Sequence, residues 1–261
     1  MSSTYAKTLL LIPDSHSRPG DPHTRFKKLH TYLSGRLNRP LDKVVHIGDL
    51  WDFESLCHHD SHLPEWNDRS LSMDIEAGAD GLDHILSIAK TFDVPDKDIH
   101  FLAGNHEERY NKWMQSDNRL RTSPFPATMK GLVSYLRPKL NLKFHAFLKP
   151  AIIYGTVFQH YFTSGLMGRP QGGEHHANNL LRSQHTSCVC GHSHLLSTST
   201  RTKGDGAKIN ALVAGAFIEP GDTFSYAGPA QKLWWSGAHL LHFYRPGEFD
   251  IESISIERLY S

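Results

Sequence analysis

The chain has 261 residues, 39% hydrophobic and 21% charged, proportions that suit a core-forming globular protein and exclude a disordered one. Its 28 Lys and Arg almost cancel its 27 Asp and Glu, so it carries no strong nucleic-acid-binding footprint of the kind a dedicated binder shows. Histidine is over-used, at 19 residues.

The first apolar run, Leu9-Leu10-Leu11-Ile12, is too short for a signal-peptide core or a membrane span. It reads as a strand, and Pro13-Asp14-Ser15-His16 follows at once. A helix is expected from Asp21-Pro22, a capping Asp before a Pro in the first turn. Phe26, Leu29, Leu33 and Leu37 form its apolar face, and Asn38-Arg39-Pro40 ends it. A second strand, Lys43 to Ile47, ends in Gly48-Asp49-Leu50-Trp51-Asp52. Strand, helix and strand imply parallel pairing and a right-handed crossover.

Glu54 to Ser72 is polar and irregular. Its Cys57-His58-His59-Asp60-Ser61-His62 stretch suits either a metal site or, as the favoured reading, a solvated loop over a cleft. Ile75, Ala79, Leu82, Ile85, Leu86 and Ala89 predict a helix from Asp74 to about Thr91. The run Ile99 to Ala103 then stops at Gly104-Asn105-His106-Glu107, with a helix expected from Glu108 to about Gln115.

Thr122-Ser123-Pro124-Phe125-Pro126 is a break. A short helix follows, with Met129, Leu132, Val133 and Leu136 on one face. Lys143 to Phe147 and Ile152 to Phe158 read as neighbouring strands of a second half, the latter ending in Gln159-His160. Gly165 to Gly173 is glycine-rich and holds Arg169. Ala177 to Gln184 fits one or two helical turns. Cys188-Val189-Cys190 ends in Gly191-His192-Ser193-His194. Leu195–Arg201, Ile209–Phe217, Ala238–Tyr244 and Ile251–Leu259 then read as strands. The chain is α/β early and mostly β late, within one domain spanning 1–261.

Cys57, Cys188 and Cys190 give no disulfide framework and point to a reducing, cytoplasmic setting. Cys188 and Cys190 alternate onto one strand face as small buried residues.

Five apolar strands thus end in Asp, His or Asn. Strand-end loops are where α/β proteins gather their ligands. A mixed set of oxygen and nitrogen donors repeated at such points is expected of two metal ions sharing one carboxylate. It suits Mn, Fe, Zn, Co or Ni, with Mn the first choice in vitro, and is too nitrogen-rich for a dedicated Mg or Ca site.

In order, Asp14-x-His16, Gly48-Asp49-x-x-Asp52, Gly104-Asn105-His106-Glu107, His160 and Gly191-His192-x-His194 resemble the calcineurin-like metallophosphoesterase superfamily. Asp74-Ile75-Glu76-Ala77-Gly78, Glu107-Glu108-Arg109, His160-Tyr161-Phe162 with Gly168-Arg169, and Leu212 to Phe217 are similar to its bacteriophage-encoded members, whose setting is the host cytoplasm. The resemblance implies a four-layer αββα sandwich with two mixed sheets and an active site at the carboxyl ends of the strands. It assigns Asp14, His16, Asp49 and His194 to one metal. Asp49, Asn105, His160 and His192 go to the other, with Asp49 bridging. His106 is then the general acid, oriented by Asp52.

The expected chemistry is in-line attack of a metal-bridging hydroxide on a nucleotide-like or nucleic-acid-type phosphodiester. Arg69 and Arg169 are candidates to hold the phosphate. The alternatives are a phosphomonoesterase and a non-catalytic scaffold of the same fold. The Trp234-Trp235 pair suits either a stacking platform or packing, and packing is favoured. No membrane partner is expected, and the sequence sets no oligomeric state.

Overall fold

The apolar runs of the first half become strands separated by helices. In chain order these are β1 (Lys7–Ile12), α1 (Thr24–Arg36), β2 (Lys43–His46), α2 (Leu71–Thr91), β3 (Ile99–Leu102), α3 (Asn105–Ser116), α4 (Met129–Leu136) and β4 (Lys143–His145). β1, β2, β3 and β4 pair in parallel, and every connection between them carries at least one helix. The second half runs β5 (Ala151–Ile153), β6 (Thr156–Phe158), β7 (Thr163–Ser164), β8 (Arg169–Pro170), α5 (His176–Gln184), β9 (Cys188–Cys190), β10 (Leu196–Thr202), β11 (Lys208–Ala214), β12 (Gly237–Arg245), β13 (Glu248–Ser255) and α6 (Ile256–Tyr260). The computed structural model describes residues 6–38, 40–57, 68–116, 124–224 and 226–261. His58, His59 and His62, and Thr122-Ser123 of the expected break, lie outside the described residues.

The protein is α/β with two mixed sheets. One has the order β13-β12-β1-β2-β3-β4 and the other β10-β11-β9-β6-β5. β12 and β13 return late in the chain to pair antiparallel beside β1. Alternate residues of β1 enter different cores. Leu10 and Ile12 pack with Phe26, Leu29, Ile75 and Leu82 of the helices. Leu9 and Leu11 pack with Phe158, Val189 and Leu212 of the second sheet. A third core sets Cys188, Cys190, Ala211 and Val213 against Leu180 and Leu181 of α5. Strands buried on both faces need apolar residues at every position, which is why β1 reads as an unbroken run.

Several boundaries differ from the sequence expectation. α1 begins at Thr24, because Asp21 is used otherwise: its carboxylate accepts from the His23 N–H at 2.8 Å and from the Arg25 guanidinium. α2 begins at Leu71 and α3 at Asn105, so Asn105 and His106 sit in a first helical turn. Ile152 to Phe158 is a hairpin and not one strand. Tyr154 (φ 50°) and Gly155 (φ 75°) form its two-residue turn, and left-handed geometry at both central positions matches the twist of the strands. β4 is an edge of the first sheet and does not neighbour β5. The last predicted strand stops at Ser255, whose side chain accepts from the Arg258 N–H and starts α6. Among the described residues, no helix is long and apolar enough to cross a membrane.

His239 on β12 shows what burial of a titratable ring does. Its Nε2–H donates to the Ala214 carbonyl and its Nδ1 accepts from the Ser253 hydroxyl, each at 2.9 Å. Burial lowers its pKa to about 4. The unfolded chain binds a proton near pH 6.5, whereas the folded ring does not until about 4, so stability present above pH 6.5 is lost as pH falls through that window. One such ring is worth about 3 kcal/mol. Denaturant titrations at pH 7, 5.5 and 4.5 should show this loss, and His239→Gln should flatten it. Equal slopes for the two proteins would reject the assignment.

Candidate metal centre

The five strand-end segments meet. Asp14, His16 and His194 bring ligand atoms within 4.8 Å of one another, and so do Asp49, His160 and His192. His16, Asp52 and His106 form a third such group. Asp14, His16, Asp49, Asp52, His106, His160 and His194 are all buried. His16, Asp49, His192 and His194 have φ of 44°, 52°, 67° and 57°, a left-handed backbone that costs energy in non-glycine residues and clusters at functional sites. Gly104 permits the close approach of two segments, since a Cβ there would lie 2.0 Å from Asp49 Oδ1.

The ring nitrogens are oriented from behind. His16 Nδ1–H donates to Asp52 Oδ1 at 3.0 Å, which leaves the His16 Nε2 lone pair 3.1 Å from His194 Nε2. His194 Nε2 is also 3.2 Å from Asp14 Oδ2. Asp14 Oδ1 is buried and accepts no hydrogen bond among the described residues. In the second group, His160 Nδ1–H donates to the Ile47 carbonyl at 3.1 Å. That turns Nε2 toward Asn105 Oδ1 at 3.0 Å and Asp49 Oδ2 at 3.2 Å. Lone pairs converging in a buried place call for a cation, and these donors suit a divalent one. The buried His and Asp groups can hold metal ions.

Electrostatics agree. Burial pushes His160 down, but Asp49 and Asp14 outweigh it and raise the ring to about 9. Burial pushes Asp49 up, yet His160 and His106 hold it well below the usual carboxylate range. His106 is raised because Asp49 and Asp52 overcome its burial. Burial, aided by His160, lowers His192 to about 4.

His106 Nδ1 lies 3.0 Å from Asp52 Oδ1 and 2.6 Å from the Asp52 carbonyl, while its backbone N–H donates to Asp49 Oδ1 at 2.9 Å. Asp52 therefore orients two rings, His106 and His16, where one was expected. The site opens on a cavity of about 290 Å³ lined by His16, Asp49, Asn105, His106, His192 and His194 among others.

Sequence reading missed several supporting residues. Glu107 is fully buried and accepts from four backbone N–H groups: Asp49 at 2.9 Å, Leu50 at 2.9 Å, Trp51 at 3.1 Å and Gly104 at 2.7 Å. It clamps the β2 loop to the β3 loop, and its place inside the motif was the available signal. His46 donates from Nε2 to Ser15 Oγ at 3.0 Å and accepts from the Gly48 N–H at 3.2 Å. A lone His in an apolar strand was its signal.

Arg69 and Arg169 are not among the described residues lining the cavity. Arg69 donates to the Glu54 carbonyl at 2.9 Å, and Arg169 is exposed on β8. Arg109, in the first turns of α3, does line it, with Nη2 3.5 Å from His106 Nε2. Trp234 meets His194 edge-on at 4.0 Å, whereas Trp235 stacks on His239 at 4.8 Å, so the pair splits between site and core. Cys188 and Cys190 are buried without a disulfide, and burial pushes the Cys188 thiol up to about 12.

No protein-family model matches the chain, and no curated protein matches it.

Metal affinity can be read from stability. Mn²⁺ at a hundredfold excess over Kd should stabilise chelator-stripped protein by about 2.7 kcal/mol, a rise in Tm of roughly 5–10 °C. Asp14→Asn should remove most of that rise. No shift with Mn, Zn, Fe, Co or Ni would reject a metal centre.

Proposed function

We propose that the chain is a dinuclear-metal phosphoesterase of the calcineurin-like kind, hydrolysing a nucleotide-like or nucleic-acid-type phosphodiester. The observation that carries this reading is the pair of groups Asp14–His16–His194 and Asp49–His160–His192, buried but for the partly exposed His192, beside one cavity that His106 also lines. One metal would be held by Asp14, His16, Asp49 and His194, the other by Asp49, Asn105, His160 and His192. Two divalent transition metals, Mn first and Fe, Zn, Co or Ni as alternatives, supply when bound an activated water and neutralisation of charge on the phosphoryl group.

The protein's own residues do the rest. Asp52 holds His106 by Nδ1, so Nε2 faces the cavity and gives its proton to the departing oxygen. Arg109 grips a phosphoryl oxygen beside it. Arg109 is the one Arg or Lys among the described residues lining the cavity, where Glu54 adds negative charge. A single guanidinium suits the one charge of a diester better than the nearly two of a monoester.

The three cores, with helices outside each sheet, support reading the fold as a four-layer αββα sandwich within one domain, its active site at the carboxyl ends of the strands. Buried, unbridged Cys188 and Cys190 accord with a cytoplasmic setting.

The test is hydrolysis of bis-p-nitrophenyl phosphate against p-nitrophenyl phosphate by chelator-stripped protein with Mn²⁺ restored. Metal-dependent preference for the diester supports the reading. Preference for the monoester makes the protein a phosphatase. Metal binding without turnover of either ester favours the non-catalytic scaffold.

A further inference from the structure

Phe224, Tyr226 and Trp234 build an aromatic wall on the side of the site formed by His16, His106 and His194. Phe224 meets His16 edge-on at 5.5 Å between ring centroids, and Trp234 meets His194 at 4.0 Å. Tyr226 completes a triangle with them, 5.6 Å from Phe224 and 6.1 Å from Trp234, whose own rings are 5.6 Å apart. Its ring lies 6.2 Å from His106 and 6.4 Å from His16. Phe224 is buried, yet Tyr226 is 51% exposed and lines the cavity.

The residues on either side of this wall are anchored. Arg18 donates to the Asp222 carboxylate at 2.9 Å and to the Thr223 carbonyl at 3.0 Å, and lies over the Phe224 ring at 4.7 Å. Trp235 N–H donates to the His194 carbonyl at 3.0 Å. Tyr226 is thus a half-exposed aromatic ring held by neighbours that are themselves tied to the site. A large exposed aromatic at a cavity mouth has an unused face, and planar rings stack on such faces whatever their sequence.

We propose that Tyr226 is a stacking platform for an aromatic ring or nucleobase carried by the substrate, with Arg109 taking the phosphate across His106. This deepens the phosphoester reading and rests on it, since that reading supplies the phosphate. It narrows the substrate class to phosphoesters bearing a planar ring on the His106 side. The cavity, about 290 Å³, is near the lower end of small-ligand pockets and suits a ligand the size of a mononucleotide.

The experiment is calorimetric binding of AMP and of ribose 5-phosphate to Mn²⁺-loaded protein, wild type, Y226A and Y226F. The two ligands share sugar and phosphate and differ only in the base. AMP should bind wild type and Y226F about tenfold more tightly than ribose 5-phosphate. Y226A should erase that advantage and leave ribose 5-phosphate binding unchanged. Equal affinities in wild type overturn the platform while ribose 5-phosphate binding keeps the phosphoester reading standing. Equal weakening of both ligands by Y226A also overturns it, because it makes Tyr226 a structural residue. Failure of both ligands to bind wild type overturns the platform, whereas the phosphoester reading, which expects a diester, stands or falls on the bis-p-nitrophenyl phosphate assay.

Discussion

His106→Ala should lower kcat on an alkyl phosphodiester by about 10²–10⁴-fold, with metal content unchanged. The backbone N–H of residue 106, which donates to Asp49 Oδ1 at 2.9 Å, survives the substitution, so Asp49 keeps its place. What is lost is the imidazole that Asp52 orients. An alkoxide leaves slowly without a proton, whereas p-nitrophenolate, the anion of an acidic phenol, leaves readily. The same variant should therefore lose far less on bis-p-nitrophenyl phosphate. Asp52→Asn should show the same split between the two esters, with some loss of metal affinity, because Asp52 also accepts from His16 Nδ1. Equal losses on both esters would make His106 a structural residue. Unchanged turnover on the alkyl ester would remove it from the mechanism.

Glu107→Gln should be among the most destabilising single-atom changes available to this protein. Each carboxylate oxygen accepts two backbone N–H groups: Oε1 from Leu50 and Trp51, Oε2 from Asp49 and Gly104. An amide NH₂ in place of either oxygen faces two donors with a third. Leaving buried donors unmet costs about 1–3 kcal/mol each, so the two together cost roughly 2–6 kcal/mol. For a chain of this size that lowers Tm by roughly 4–24 °C. The released donors belong to Asp49 and its flanking loops, so metal affinity should fall about 10–100-fold as well. Thermal unfolding with and without Mn²⁺ separates the two effects. A Tm within a degree or two of wild type would show that the four N–H groups find other partners, and the clamp would be discarded.

Much of the site was legible because its donors sit where a strand ends. A run such as Val44-Val45-His46-Ile47 needs no partner to be recognised as a strand, and Gly48-Asp49 marks its end. Cysteine placement was legible for the same reason: Cys188 and Cys190 share a face in an apolar strand and are buried together. Boundaries were less legible where a side chain had a distant use. Asp21 looked like a helix cap, but Arg25 and the His23 N–H take it. Ile152 to Phe158 looked continuous because β-type residues flank Tyr154-Gly155, and the turn is visible only through its two positive φ angles.

The sequence by itself determined the α/β class and the Asp, His and Asn residues that end its strands, because strand periodicity and residue type are local properties. Only the tertiary structure decided which of those residues touch. Asp14 meets His194 across 180 positions, and Arg109 rather than Arg69 or Arg169 reaches the cavity. It also decided that Glu107 holds two loops together and that Tyr226 is exposed beside His106. Those facts depend on how two sheets dock and how loops cross between them. Long-range packing sets both, and it leaves no period or spacing in the chain to read.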